Sequence, residues 1–177
     1  TDAFFVSEKD AEKIKSWAEK FGFQTKTGIG IEESDGNIPS PFWKEDVLHE
    51  KWYLGDTYNL SIGQGYLLTT PLQMHMAAAV VTNGGALCAP QFLKDAKPEC
   101  VSLPISEETI RLVKAGMKVA CQTGGTGWPM FDFKVNGKPV AVGCKTGTAE
   151  SHGPEHVAPH AWFTVFAPFD KPQIQIT

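Results

Sequence analysis

The sequence predicts an α+β fold, an antiparallel sheet flanked by helices. Three observations predict it. Capped segments with apolar residues at helical spacing recur up to residue 121, and β-branched and aromatic runs separated by short turns fill the chain after residue 131. The two kinds are segregated along the chain and do not alternate, which argues against parallel βαβ units. The length of 177 residues suffices for one domain with a core, and 42% hydrophobic with 20% charged residues is ordinary for a globular chain. A net charge of -4 without a basic run argues against nucleic-acid binding. No apolar stretch reaches the length of a membrane span, and no charged start leads into an apolar signal core. A membrane anchor or secretion signal is therefore expected outside these residues. The opening Thr1-Asp2 and the closing alternation Gln173-Ile174-Gln175-Ile176-Thr177 read as the ends of a fragment.

Ser7-Glu8-Lys9-Asp10 opens a helix that runs to about Phe21, with Ser7 as N-cap and acids in the first turn. Ala11, Ile14, Trp17, Ala18 and Phe21 form its apolar stripe, and Gly22 supplies the stop. Residues 23–65 read as loop, rich in glycine, proline and aromatics. Within them Lys26-Thr27-Gly28 reads as a structural turn. Asn59-Leu60-Ser61-Ile62-Gly63-Gln64-Gly65 reads as a glycine-punctuated loop without the lysine of a phosphate cradle. Thr70-Pro71-Leu72-Gln73 is a helix start, a capping box with proline at the first position. The helix that follows is apolar nearly all round and hence buried, with Met74 and Met76 as packing residues, until Asn83-Gly84-Gly85 ends it. Ser106-Glu107-Glu108 caps another helix, with Ile105 and Ile110 as a staple and Ile110, Val113, Met117 and Cys121 facing the core.

Thr123-Gly124-Gly125-Thr126-Gly127 then leads towards a strand. Asn136-Gly137 marks a tight hairpin between residues 131–135 and a strand over residues 140–148. Residues 151–159 form a polar loop, residues 160–167 an aromatic strand, and Pro168-Phe169-Asp170-Lys171-Pro172 turns into the last strand. The end of the chain is thus an antiparallel meander. The four cysteines, Cys88, Cys100, Cys121 and Cys144, contain no C-x-x-C pair, which argues against a zinc knuckle. Cys88 and Cys100 bracket one short loop and are the most plausible bridge in an oxidising compartment; free buried thiols are the alternative.

The chemistry gathers at Val140-Ala141-Val142-Gly143-Cys144-Lys145-Thr146-Gly147-Thr148-Ala149-Glu150. A strand alternates its faces, so Thr146 and Thr148 share one side and Lys145 and Gly147 the other. A cation beside two hydroxyls, with backbone laid open at Gly147, suits a small carboxylate or an acyl group arriving as an added strand. Glu150 belongs to the following loop. His152, His156 and His160 recur every fourth residue, but Gly153, Pro154 and Pro159 oppose a helix there. They read as loop histidines, not metal ligands.

Several of these stretches occur in one order and spacing: 59–65, Thr70-Pro71-Leu72-Gln73-Met74, Asn83-Gly84-Gly85, Lys145-Thr146-Gly147-Thr148-Ala149, and His160-Ala161-Trp162-Phe163-Thr164-Val165-Phe166-Ala167-Pro168. Together the chain resembles the C-terminal portion of the transpeptidase domain of a class B penicillin-binding protein, a peptidoglycan D,D-transpeptidase. Trp52-Tyr53-Leu54-Gly55-Asp56 resembles the elongation-type members. The resemblance implies a five-stranded sheet between helical regions, and acyl transfer by a serine paired with lysine in S-x-x-K, with S-x-N or S-x-D completing the proton relay.

Carried onto this chain, the resemblance makes Lys145 the cation that holds the substrate carboxylate and supports the relay. It makes Thr146 and Thr148 donors to that carboxylate, Gly147 the place where substrate lies against the strand, and the Thr148 backbone N–H one arm of the oxyanion hole. Cys144 departs from the glycine many relatives carry. None of Ser7, Ser16, Ser34, Ser40, Ser61, Ser102, Ser106 and Ser151 has lysine three positions on, nor Asn or Asp two positions on. The nucleophile is thus expected upstream, and Asp2 falls where an S-x-D motif would end. No cofactor is implied. The implied partners are peptidoglycan stem peptides, β-lactam antibiotics and a membrane glycosyltransferase of the cell-elongation machinery, at the outer face of the cytoplasmic membrane. Two other classes share the fold: a β-lactam sensor that is acylated and signals, and a non-catalytic interaction domain. A serine-x-x-lysine upstream excludes the non-catalytic domain, and the upstream anchor pattern separates the transpeptidase from the sensor.

Overall fold

A computed structural model of the chain describes residues 7–97, 99–150 and 158–177. Asp2, Ser151, His152 and His156 lie outside the described residues. The chain divides into two compact units, Thr1–Gln73 and Met74–Thr177.

The first unit is helical. In α1 (Glu8–Lys20) the N–H and hydroxyl of Ser7 both donate to the Asp10 carboxylate at 2.8 Å, which closes the first turn. These bonds hold the Asp10 carboxyl below its ordinary range. Ala11 is fully buried, with Trp52 and Leu60, and Ile14 and Leu67 pack against them. Trp17, placed by its spacing in the stripe, is instead exposed, its ring beneath the Lys20 ammonium. Residues 23–65 are not loop throughout: they contain α2 (Pro41–Leu48) and α3 (Leu54–Ser61). Each has only eight residues, too short for a periodic stripe to register, and each is set by its cap. The Ser40 hydroxyl accepts the Trp43 N–H, with Pro41 at the first position. The Asp56 carboxylate accepts the Tyr53 N–H and, at 2.8 Å, the Lys44 ammonium. Lys44 is buried; the Asp56 hydrogen bond holds its ammonium above the ordinary lysine range against the opposing cost of desolvation. Gly36 has positive φ, and a Cβ there would meet the Leu68 carbonyl at 2.4 Å, beside the bridge Asn37↔Leu68. The capping box forms as expected: Thr70 N–H donates to the Gln73 side chain at 2.9 Å, and Gln73 N–H to the Thr70 hydroxyl at 3.1 Å.

That box starts α4 (Pro71–Thr82), in which Met76 and Val80 are buried. In the second unit, β1 (Ala86–Cys88) pairs antiparallel with β2 (Cys100–Ser102), and Cys88–Cys100 is a disulfide. The second helix of this unit is α5 (Glu107–Ala120), capped by the Ser106 hydroxyl. It buries Ile110 and Met117, with Cys121 following; Val113 is exposed at 44%, off the buried face. The Asn136-Gly137 hairpin forms, with both residues at positive φ, but joins only β3 (Lys134–Val135) and β4 (Lys138–Pro139). The expected longer strands are thus split. A 3-10 turn (Trp128–Met130) precedes the hairpin, and the later strand, β5 (Gly143–Ala149), pairs elsewhere. It forms the sheet β5-β6-β7 with β6 (His160–Ala167) and β7 (Ile174–Ile176), antiparallel throughout. The meander is as the turns predict, and the described residues contribute three strands to this sheet, not five. The Gln175 side-chain amide donates through its nitrogen to the His75 carbonyl at 2.8 Å and accepts through Oε1 from the Thr82 hydroxyl at 3.1 Å, which ties β7 to α4.

Candidate active site

Lys145, Thr146, Gly147 and Thr148 lie together on β5, at the edge of the three-stranded sheet. β5 stands in register with β6: Cys144↔Val165, Lys145↔Thr164, Thr146↔Phe163, Gly147↔Trp162, Thr148↔Ala161. Strand alternation places Cys144, Thr146 and Thr148 on one face and Lys145 and Gly147 on the other.

The buried start of β5 anchors its exposed end. Cys144 is fully buried and disulfide-bonded to Cys121 at the end of α5. Val142, Phe163, Val165 and Met130 surround that bond. On the opposite face Gly143 leaves room for the Phe166 ring, which a Cβ there would meet at 2.3 Å. Phe166 is in turn buried and stacked 5.9 Å from Phe169. The Cys144 sulfur is spent in a structural bridge, so it is no nucleophile. The signal for that pairing was absent from sequence, because the two cysteines are 23 positions apart and meet only through folding.

Beyond the bridge the strand emerges into solvent. Lys145, Gly147 and Thr148 are exposed and Thr146 is half-buried. The Lys145 ammonium folds back onto the Thr146 carbonyl oxygen. At Gly147 an added Cβ would meet that of Trp162 at 3.3 Å, so the strand surface there is narrow as well as bare. The Thr146 hydroxyl donates to the Thr126 hydroxyl at 2.9 Å. Thr126 lies in the glycine-rich loop after α5, and no local motif in the sequence marks it as a neighbour of β5. The T-G-G-T-G pattern marked the loop but not its neighbour. Glu150 is exposed beyond the strand, and His160 opens β6. A cavity of about 270 Å³ between the end of α5 and the hairpin reaches Val142 and stops short of Lys145. The candidate site is therefore an open strand edge. Among the described residues no grouping of three or more His, Cys, Asp and Glu side chains could hold a metal ion.

The other Lys-Thr-Gly, expected as a turn, is an irregular segment whose donors are tied up within the fold. The Thr27 N–H and hydroxyl and the Gly28 N–H all donate to the Glu33 carboxylate. The Thr27 hydroxyl foremost, with the backbone donors, holds the Glu33 carboxyl below its ordinary range.

Residues 6–177 match the family model described as the penicillin binding protein transpeptidase domain. The chain is 30% identical over 203 residues to the peptidoglycan D,D-transpeptidase MrdA of Escherichia coli K12, which covers 99% of this chain and 31% of that protein. It resembles the penicillin-binding protein PBP2 of Helicobacter pylori, solved in complex with MreC, with a TM-score of 0.76 and 29% identity over 95% of this chain and 32% of that one. It also resembles a chain from a structure described as the structural coordination of polymerization and crosslinking by a peptidoglycan synthase complex, with a TM-score of 0.77 and 28% identity over 91% of this chain and 27% of that one. The chain thus spans about a third of the length of the relatives it matches.

Proposed function

The chain belongs to the penicillin-binding protein transpeptidase domain family, and on that premise we propose that it supplies the lysine-bearing wall of a peptidoglycan D,D-transpeptidase. The observation that carries this reading is β5: a lysine, two threonines and a glycine on an exposed sheet edge whose root is fixed by a disulfide.

In the proposed reaction a serine hydroxyl adds to the carbonyl of the amide that precedes the stem peptide's terminal D-alanine. The terminal amino acid leaves with its amine protonated, and the amine of a second stem peptide takes the acyl group from the serine. Lys145 offers its cation to the carboxylate of the terminal residue and to the proton relay. Thr146 and Thr148 contribute hydroxyls, and the Thr148 N–H contributes one arm of the oxyanion hole. Gly147 lets the peptide lie along β5 as an added strand. The serine is proposed to come from residues upstream of Thr1, and Asp2 to close a second motif with them. A β-lactam carries a carboxylate and a strained acyl group and enters the same place. One similar structure, described as coordinating polymerization and crosslinking, supports work beside a peptidoglycan polymerase as a proposal for the whole protein. The peptidoglycan substrate implies a place at the outer face of the cytoplasmic membrane. Among the described residues no helix is long and apolar enough to cross a membrane.

Intact-protein mass after penicillin treatment tests this, on these residues and on a form extended upstream through the S-x-x-K region. An adduct on the extended form alone, lost on Lys145→Ala, is expected. An adduct at a serine within residues 1–177 overturns the assignment of the nucleophile, and no adduct on a folded extended form turns the reading to a non-catalytic domain.

A further inference from the structure

Thr126 is held beside β5 more firmly than its place in a glycine-rich loop suggests. Gly125 N–H donates to the Gln122 carbonyl and Gly127 N–H to the Ala120 carbonyl, both at 2.8 Å, so backbone bonds to the end of α5 bracket Thr126. Both glycines are required by space. A Cβ on Gly125 would meet the Ala120 carbonyl oxygen at 2.4 Å, and one on Gly127 would meet the Cys144 sulfur at 2.3 Å. The loop is thus pressed onto the Cys121–Cys144 bridge, the bridge that fixes the root of β5. One clamp sets both members of the 2.9 Å hydroxyl pair, Thr126 and Thr146.

The proton count decides what that pair offers. A hydroxyl has one proton and two acceptor positions. Thr146 directs its proton at Thr126, so the pair's remaining proton is the one on Thr126, which is the more exposed of the two. We propose that Thr126 is a further substrate-binding residue, presenting the hydroxyl proton that meets the ligand's carboxylate beside β5, while Thr146, its own proton committed to Thr126, acts through Thr126 in place of donating to the carboxylate directly. This rests on the reading of β5 as the wall that binds the carboxylate. The ligand class is a peptide or β-lactam with a free carboxylate next to the reacting acyl group.

The test measures the acylation rate of the upstream-extended protein by a fluorescent penicillin, for the parent and for Thr126→Val, Thr126→Ser and Lys145→Ala, with melting temperature as the check on folding. The same measurement is repeated with the methyl ester of the penicillin, which lacks the carboxylate charge. The proposal expects Thr126→Val to slow acylation by about tenfold or more, the effect of losing one hydrogen bond to a charged group. It expects Thr126→Ser to restore the rate and the ester to erase the difference. Thr126→Ala replaces the valine form if that melts early. A valine variant equal to the parent, while Lys145→Ala abolishes labelling, overturns the role of Thr126 and leaves the wall reading intact. Equal losses with acid and ester, or no rescue by serine, mean a scaffolding role and also overturn it. A folded parent that is never acylated removes both readings together.

Discussion

The chain carries the tripeptide Lys-Thr-Gly twice, and the two copies have opposite fates. At Lys26-Thr27-Gly28 the threonine is buried, and its hydroxyl and N–H, with the glycine N–H, are consumed by Glu33. At Lys145-Thr146-Gly147 the same residues lie on an edge strand, with the lysine and glycine exposed and the threonine paired to another hydroxyl. The first copy spends its donors inside the fold, and the second turns its functional groups outwards. The difference teaches that the tripeptide holds no chemistry of its own. A preceding run that forms a sheet edge gives it a surface, and a carboxylate six positions on takes up its donors.

The largest expected contrast is between the two lysines. Lys145→Ala should cut acylation of the extended protein by about a hundredfold or more, the scale of a lost proton-transfer or charge-holding group. Lys26→Ala should leave it unchanged. Equal losses in a quantitative mass assay would erase the distinction between the copies. Next in size is the anchor that only the second copy possesses. Replacing Cys121 and Cys144 together by serine should cost about 3 kcal/mol of stability in denaturant unfolding, as expected for a loop of this length. A value near zero would mean that β5 is held by packing alone.

The glycines sharpen the comparison. Gly28 has a φ of +80°, with open space around a Cβ, so Gly28→Ala should cost about 1 kcal/mol through backbone strain and leave acylation alone. Gly147→Ala meets only the Trp162 Cβ, so it should melt near the parent while acylation falls, because a methyl group stands where we propose the peptide lies. The smallest effect concerns pH. The Glu33 carboxyl is held below the ordinary 4.5 by its donors, so its contribution to stability is present above that value and is lost as pH falls through the lowered one. Glu33→Gln should therefore lower the melting temperature slightly at neutral pH and flatten its acid limb, bringing variant and parent together in acid. A steeper acid limb in the variant would contradict this.

Much of the fold is legible because caps and glycine stops act over three or four residues. Ser7 with Asp10, Thr70 with Gln73 and Ser106 mark the starts of α1, α4 and α5, and Asn136-Gly137 marks the hairpin. The sheet order follows from runs of β-formers that succeed one another along the chain, joined by a polar loop and a proline-bounded turn. What was missed has a common cause. α2 and α3 are short and held by Asp56 reaching both the start of α3 and Lys44 of α2, a contact twelve positions apart in sequence. Trp17 and Val113 fit a helical stripe by spacing alone, yet lie off the faces that their helices bury.

By itself the sequence determined the α+β class, the family resemblance and the four residues of β5, since these depend on local capping, period and motif. Only the tertiary structure decided that Cys121 closes on Cys144, that β5 is an edge strand, and that Thr126 meets Thr146. The reason is physical. A cap or a turn is settled by bonds within one or two turns of chain, whereas a disulfide partner or a cross-chain hydroxyl is selected by packing among residues that sequence alone does not bring together.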